Sequence, residues 1–434
     1  MKKNTTFDTV WPYLMLISIV ILVYCPVINH NFLYQWDDQW VVMNHYTTGG
    51  ININNLWYIL TDFYHGQYAP FNKLNYLLLH TLFGYDSSFF HLTSLCWHLA
   101  NVCLVYRFFI MLLSKSNVYI EYNIRIIAFF TALLWGIHPV NVESVAWLSA
   151  SKVLIYTFFY LLSLLCYLKY VQNRRNTYFL LTLFFFICSF LGKEQAVTLP
   201  VCLLLIDYFV GRDFHNRELW VEKISFFSLS LLGGILTILS QGSEGEELIY
   251  SLDYRILFAC YTTFEYMVKS FLPVNLSYIY PFPVLPEESI PLRLWFYPII
   301  VLTGSGMLFV YRKNKIVMFS ILFLVLHVAV ALHLISISRF TIVADRYLYL
   351  GCIGTSFLTV WIFFHFIQTL SEKWKRLLIS ACFALYLIYL GTYCFSYTKD
   401  WKDTDTLKSH VRKLIKNREN SSPLKKHGEP FNNN

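Results

Sequence analysis

About eleven apolar runs, separated by polar connections, recur along almost the whole chain. Irregular backbone cannot face hydrocarbon, so the spans must be helices and the polar chemistry must sit in connections or in a protein-lined cavity. The runs lie near residues 10–27, 91–113, 125–137, 153–171, 178–191, 198–210, 224–240, 294–311, 316–335, 348–369 and 377–397. Some are short for a crossing of roughly 20 residues, as expected where a helix stops early beside a cavity. The fold class is an all-α polytopic membrane protein. With 56% hydrophobic and 14% charged residues, the net charge of +8 bears on topology and not on nucleic acid.

Basic residues cluster on alternate connections: Lys2-Lys3, Lys115 with Arg125, Arg174-Arg175, Arg212 with Arg217 and Lys223, Arg312-Lys313 with Lys315, and Lys373 with Lys375-Arg376. By the positive-inside rule they mark the cytoplasmic side. The first span follows Lys2-Lys3 as a signal peptide would, but no small-residue cleavage site precedes the acids that follow, so a retained helix is expected. All ten cysteines fall in apolar segments without metal-ligand spacing and read as small packing residues. Residues 254–272 combine an apolar stripe with a Glu265/Lys269 pair four apart, the pattern of an amphipathic helix in the outer interface. The first outer connection, 28–90, predicts two interfacial helices joined around Tyr68-Ala69-Pro70. After residue 397 the chain is polar, and 398–434 reads as an extracytoplasmic tail, mobile at its end.

The unusual polar residues gather on the connections opposite the basic clusters: Trp36-Asp37-Asp38, His138 through Glu143, Lys193-Glu194, Glu244 to Glu247, and Arg339 through Arg346. Acids beside the lipid boundary are costly to hold and are a functional hypothesis by default. The bland alternative for Asp37 and Asp38 is a helix N-cap, a position Asp favours. For Arg346 it is a local pair with Asp345, for Lys193 a self-neutralising pair with Glu194, and for His138 a hydrogen-bonded structural role. His91 and His98, seven apart on one helix face, suit packing better than metal binding.

The motifs Trp36-Asp37-Asp38, Tyr68-Ala-Pro-Phe-Asn-Lys-Leu-Asn-Tyr76, His91 through Asn101, His138-Pro-Val-Asn-Val-Glu-Ser-Val-Ala-Trp147, Gly192-Lys-Glu-Gln-Ala-Val-Thr-Leu-Pro200 and Ala344-Asp-Arg-Tyr-Leu-Tyr349 follow one another in order. Together they resemble the membrane part of the TMTC (transmembrane and tetratricopeptide-repeat) proteins, which are similar to protein O-mannosyltransferases of the GT-C class. The resemblance covers roughly residues 10–410 and implies a catalytic membrane domain over 1–397. In that family the segment resembling Trp401 to Leu407 leads into tetratricopeptide repeats, whereas this sequence ends at Asn434. The expectation is therefore glycosyl transfer with the acceptor, protein or glycan, left open. The missing repeats lean the expected location toward a bacterial inner membrane, with the endoplasmic reticulum as the alternative.

The resemblance implies transfer of a hexose, mannose by family, from a polyprenyl-phosphate-linked donor at the outer face of the lipid bilayer. Asp37 is then the expected general base, and Asp38 would orient the acceptor or, with Asp37, hold a divalent cation, magnesium or manganese, if one is used. The leaving phosphate needs cations, for which Arg346, Lys193 and Lys152 are the outer-side candidates. His138, Glu143, Glu194, Tyr68 and Asp345 are candidates for sugar or acceptor contacts. Two rivals are a lipid-linked-sugar transporter, whose charges should line a path through mid-span, and an inactive binding scaffold.

Overall fold

In the computed structural model, residues 6–116, 122–241, 250–284, 288–334 and 341–421 are described. The acids Glu244 to Glu247, Arg339, Lys2-Lys3 and the basic end of the tail lie outside them. Every apolar run is a helix. α1 (Thr6–Tyr24) continues as a 3-10 turn to Asn29. The first long connection then holds two single turns, α2 (Asp38–Val41) and α3 (His45–Thr48), and two longer helices, α4 (Ile53–Thr61) and α5 (Pro70–Phe83). There follow α6 (Ser87–Lys115), α7 (Ile124–Gly136), the short α8 (Val142–Ala146), α9 (Lys152–Asn173), α10 (Asn176–Gly192), α11 (Leu199–Val210) and α12 (Arg217–Gln241). The last group is α13 (Leu252–Phe271), α14 (Phe296–Val310), α15 (Lys315–Val328), α16 (Leu348–Thr369), α17 (Lys373–Lys399) and α18 (Thr404–Ser421).

Among the described residues seven helices are long and apolar enough to cross a membrane, and the pair α7 and α8, bent by 54° at the break between them, makes up to eight. α10 and the stretch Lys315–Ala331 are apolar but shorter. α11, with 12 residues, rises about 18 Å, well short of a hydrocarbon core of about 30 Å. It starts at Leu199-Pro200, after a 3-10 turn over Glu194–Thr198, so the span is completed by irregular backbone. Such backbone needs protein partners at this depth. Ser230 Oγ donates to the Val197 carbonyl (2.7 Å) and Thr198 Oγ1 to the Gln195 carbonyl (3.0 Å) in this stretch. Side chains bond carbonyls of the neighbouring helices as well. Trp135 Nε1 donates to the Tyr349 carbonyl (2.7 Å), Asn141 Nδ2 to the Trp135 carbonyl (2.6 Å) and Asn101 Nδ2 to the Leu154 carbonyl (2.9 Å), while His98 bridges the Tyr349 hydroxyl and the Gly136 carbonyl. These bonds tie α6, α7, α9 and α16 together, and residues 131–151 are buried throughout. His98 is thereby a packing residue.

The two longer helices expected in the first connection form as α4 and α5. α4 buries Asn55 and Ile59, whereas Ile53 and Trp57 are 79% and 64% exposed, an apolar stripe without a protein partner. An apolar face left uncovered on a helix flanking a bundle is what insertion into the lipid interface requires. α13 carries the Glu265–Lys269 pair at 3.4 Å and packs on α14, α15 and α16. The stretch after 397 begins inside α17 and continues into α18. Trp401, Leu407 and Val411 are buried, the Asn31 N–H bonds the Lys402 carbonyl (2.9 Å), and Thr404 bonds the Tyr34 carbonyl (2.7 Å). The start of the polar stretch is thus a packed strap over the first connection.

Candidate functional site

Two adjacent acids look equivalent in sequence, and the backbone separates them. Gln35 adopts φ 56°, in the left-handed region, which turns the chain sharply before α2. Asp38 then points inward. It is 1% exposed, its Oδ2 accepts the Leu33 N–H (2.9 Å), and its Oδ1 accepts both the N–H (3.0 Å) and hydroxyl (2.5 Å) of Ser149. Asp38 is the rivet between the first connection and the turn after α8. Burial lifts its carboxyl from 3.8 to about 6, against those three donors. Asp37 stays half-buried at the surface of this junction. It occupies the N-cap position of α2 without making a capping bond, and instead accepts Trp40 Nε1 at 3.3 Å. Burial raises its pKa, opposed by the Trp40 hydrogen bond and then by the charges of Arg346 and Lys152. The helix-cap alternative therefore describes neither carboxylate.

A divalent cation shared by these two acids does not fit the arrangement. Both Asp38 oxygens already accept N–H and O–H donors that a cation would have to displace. Among the described residues no three His, Cys, Asp or Glu side chains converge.

The cations come from two distant helix starts. Arg346 precedes α16, and its partner is Glu143 of α8 and not the adjacent Asp345. The Arg346 N–H bonds Glu143 Oε2 (2.7 Å), and Arg346 Nη1 pairs with Glu143 Oε1. The guanidinium also lies 5.3 Å from the Trp147 ring and 5.4 Å from the Tyr347 ring. Glu143 is buried and committed to this clamp, so it orients Arg346 and leaves no oxygen turned toward a sugar. Lys152, at the start of α9, donates to Gln67 Oε1 at 2.5 Å. Lys193 is buried with its ammonium 4.8 Å from the Tyr347 ring, and Glu194 follows it at the start of the 3-10 turn before α11.

Other expected contacts are taken up by structure. His138 is fully buried and its Nδ1 accepts the Val140 N–H (3.4 Å), capping the turn into α8. Asp345 is also fully buried, and both its oxygens accept the Tyr280 hydroxyl (2.9 and 3.0 Å). The Tyr68 hydroxyl bonds the Leu60 carbonyl (2.9 Å), joining the two interfacial helices. None of these three presents a polar group to a shared pocket.

An aromatic wall beside Asp37 was not foreseen. Tyr278 packs edge-on to Trp36 (4.7 Å) and Trp147 (5.0 Å), with Trp401 5.8 Å away, and it lies within the fields of Asp37, Arg346 and Glu143. A cavity of about 460 Å³, walled by Leu276, Tyr389, Tyr393 and His410, opens two residues along the chain from Tyr278. In the first connection Lys73 is 8% exposed, donates to the Asp62 carbonyl (3.2 Å) and lies 4.2 Å from the Tyr46 ring; burial lowers it to about 8. Rings and lone lysines are so frequent in such a chain that nothing local marks these two.

No family model matches the chain. Several curated proteins do. The protein O-mannosyl-transferase TMTC2 of Mus musculus is 31% identical over 180 residues, 40% of this chain and 20% of that protein. Human TMTC2 is 28% identical over 185 residues, covering 42% and 21%. The protein O-mannosyl-transferase F38B6.6 of Caenorhabditis elegans is 25% identical over 281 residues, covering 62% and 39%. The matches thus span between about a fifth and two-fifths of the length of these relatives. At modest identity, the curated homologues of this chain are TMTC-type protein O-mannosyltransferases.

Proposed function

We propose that the chain is an integral-membrane glycosyltransferase. It moves a hexose, mannose by analogy with its relatives' names, from a polyprenyl-phosphate donor to an acceptor hydroxyl. The observation that carries this reading is Asp37, a half-buried carboxylate holding one indole hydrogen bond while the charges of Arg346 and Lys152 act on it from two other helices. A hydroxyl is a poor nucleophile at neutral pH, and a positioned base is worth roughly 10²–10⁴ in rate. The acceptor oxygen attacks the anomeric carbon, the carbon–oxygen bond to phosphate breaks with its electron pair leaving on the phosphate, and the acceptor proton passes to Asp37. Charge building on the leaving phosphate meets Arg346 and Lys152. The Glu143 clamp fixes the guanidinium in advance, and rings such as Trp36 and Tyr278 give a sugar faces to stack on.

The same reading orients the protein. Arg174, Arg212, Arg312 and Lys373 stand at one end of the bundle, at the ends of α9, α11 and α14 and the start of α17, while Lys152 and Arg346 stand at the other. The positive-inside rule then opens the site away from the cytoplasm. The cavity beside Leu276 offers apolar and tyrosine surface for the isoprenoid part of the donor.

The test is reconstitution in proteoliposomes with radiolabelled polyprenyl-phosphate mannose and a Ser/Thr-rich peptide. Label on the peptide is expected. Donor bound without turnover would replace the enzyme by a binding scaffold, and label crossing the bilayer still attached to lipid would replace it by a transporter.

A further inference from the structure

We propose that the end of the bundle opposite Asp37 carries a binding pocket for the phosphate headgroup of an anionic membrane lipid. A cavity of about 350 Å³ lies between the last turns of α6 and α9 and the first turn of α10. Three cations line it, Arg107, Lys115 and Lys169, with Gln172, Asn173 and Tyr178 among its other polar walls and no carboxylate among the described residues.

Neighbouring cations show how unusual this is. Arg174, Arg212 and Lys223, at the same end of the bundle, each sit within ion-pair distance of Glu222 or Asp207. Among the described residues no carboxylate pairs with Arg107, Lys115 or Lys169. Lys115 is aimed by the Leu168 carbonyl (3.1 Å) and by Gln172, and Lys169 lies 5.4 Å from the Tyr178 ring. A lysine in the last turn of a helix complements the helix dipole, which is enough to account for Lys115. It does not account for Arg107, which is exposed about two turns before the end of α6, some 12 Å deeper along the axis. An arginine exposed at that depth on a membrane-spanning helix is costly without an anion.

The occupant is a lipid and not a free anion because the site lies on the flank of a spanning helix. Ile110 and Met111 line its floor beside Arg107, so a headgroup phosphate can reach the three cations while its chains stay against the bundle. α6, with 29 residues, is about 43 Å long, which separates this pocket from the donor phosphate expected near Lys152. The two lipids would occupy opposite leaflets. This inference is independent of the transferase reading.

The experiment measures thermal unfolding of the purified full chain in detergent with added phosphatidylglycerol, phosphatidylcholine or inorganic phosphate, together with retention of each lipid by native mass spectrometry. Phosphatidylglycerol is expected to be retained in preference to phosphatidylcholine and to raise the melting temperature. Arg107→Gln combined with Lys169→Gln should weaken retention about 25-fold, at roughly fivefold per cation removed. Equal retention of the two lipids by the unmodified chain would overturn the proposal whether or not the double variant folds. An unchanged preference in a folded double variant would do the same, as would a melting shift reproduced by inorganic phosphate alone.

Discussion

Two charged clusters sit at opposite ends of this bundle, and the chain treats them differently. At the basic end Asp207 is fully buried and saturated. It accepts the Tyr167 hydroxyl on both oxygens (2.6 and 2.7 Å), Lys223 at 2.8 Å and Arg212 at 3.2 Å. Glu222 beside it takes Arg212, Arg174 and the Tyr170 hydroxyl. At the other end Asp37 accepts one indole N–H while two cations lie within its field. Burial of charge alone therefore does not mark a site. A carboxylate whose oxygens are all bonded staples helices, and one with an oxygen to spare has something left to bind.

The sharpest way to break this contrast is to replace one carboxylate oxygen by an amide nitrogen at each end. Asp37→Asn should lower transfer by roughly 10²–10⁴ at an unchanged melting temperature. Asp207→Asn takes from buried Lys223 its nearer counter-charge, leaving Glu222 at 3.8 Å, and should cost ~3 kcal/mol of stability, leaving turnover per folded molecule intact. Unfolding scans and single-turnover assays on both variants read the two axes. Loss of transfer at normal stability in the Asp207 variant would erase the distinction.

Next in size is Arg346→Lys, which keeps the charge but gives up the planar fork held by Glu143. A charged hydrogen bond is worth ~1.5–3 kcal/mol, so donor KM should rise about 10- to 100-fold. Lys152→Gln removes a point charge, with about a tenfold rise in donor KM and little change in kcat expected. Titration of donor in proteoliposomes separates these from a fall in kcat, the signature reserved for Asp37.

Asp38 should matter least to turnover and most visibly to pH. Its folded pKa of about 6 exceeds the ordinary 3.8, so between those values the folded protein holds more protons than the unfolded chain. Stability on its account falls as pH rises from about 4 to 6. Melting curves across that window should show the slope in the unmodified chain and lose it in Asp38→Asn.

Much of the fold was legible because helices are local. The apolar run at 348–369 is α16 to the residue, the run at 153–171 is α9 within two residues at each end, and Tyr68-Ala-Pro marks the joint between α4 and α5. The basic clusters fall just after α9, α11 and α14 and at the start of α17. What the sequence could not display is partnership across long separations. Glu143 meets Arg346 across 203 residues and Asp38 meets Ser149 across 111, and no periodicity encodes either pairing. Nor does composition say which of two adjacent acids turns inward, since that is settled by one left-handed residue, Gln35, and by the donors waiting at Leu33 and Ser149. For His138 and Asp345 too the partners lie outside the motif's own pattern: His138 Nδ1 caps the turn into α8, and Asp345 accepts the Tyr280 hydroxyl 65 residues away.

In the proposed mechanism Asp37 takes the acceptor proton, and the pH–rate profile of mannose transfer tests that directly. Burial raises the Asp37 pKa above 3.8, so the rate should fall as pH drops through an acid limb displaced upward from the ordinary carboxylate range. The residual transfer of Asp37→Asn should be flat across that limb. An identical acid limb in the Asp37→Asn variant would place the proton acceptor elsewhere and contradict the mechanism.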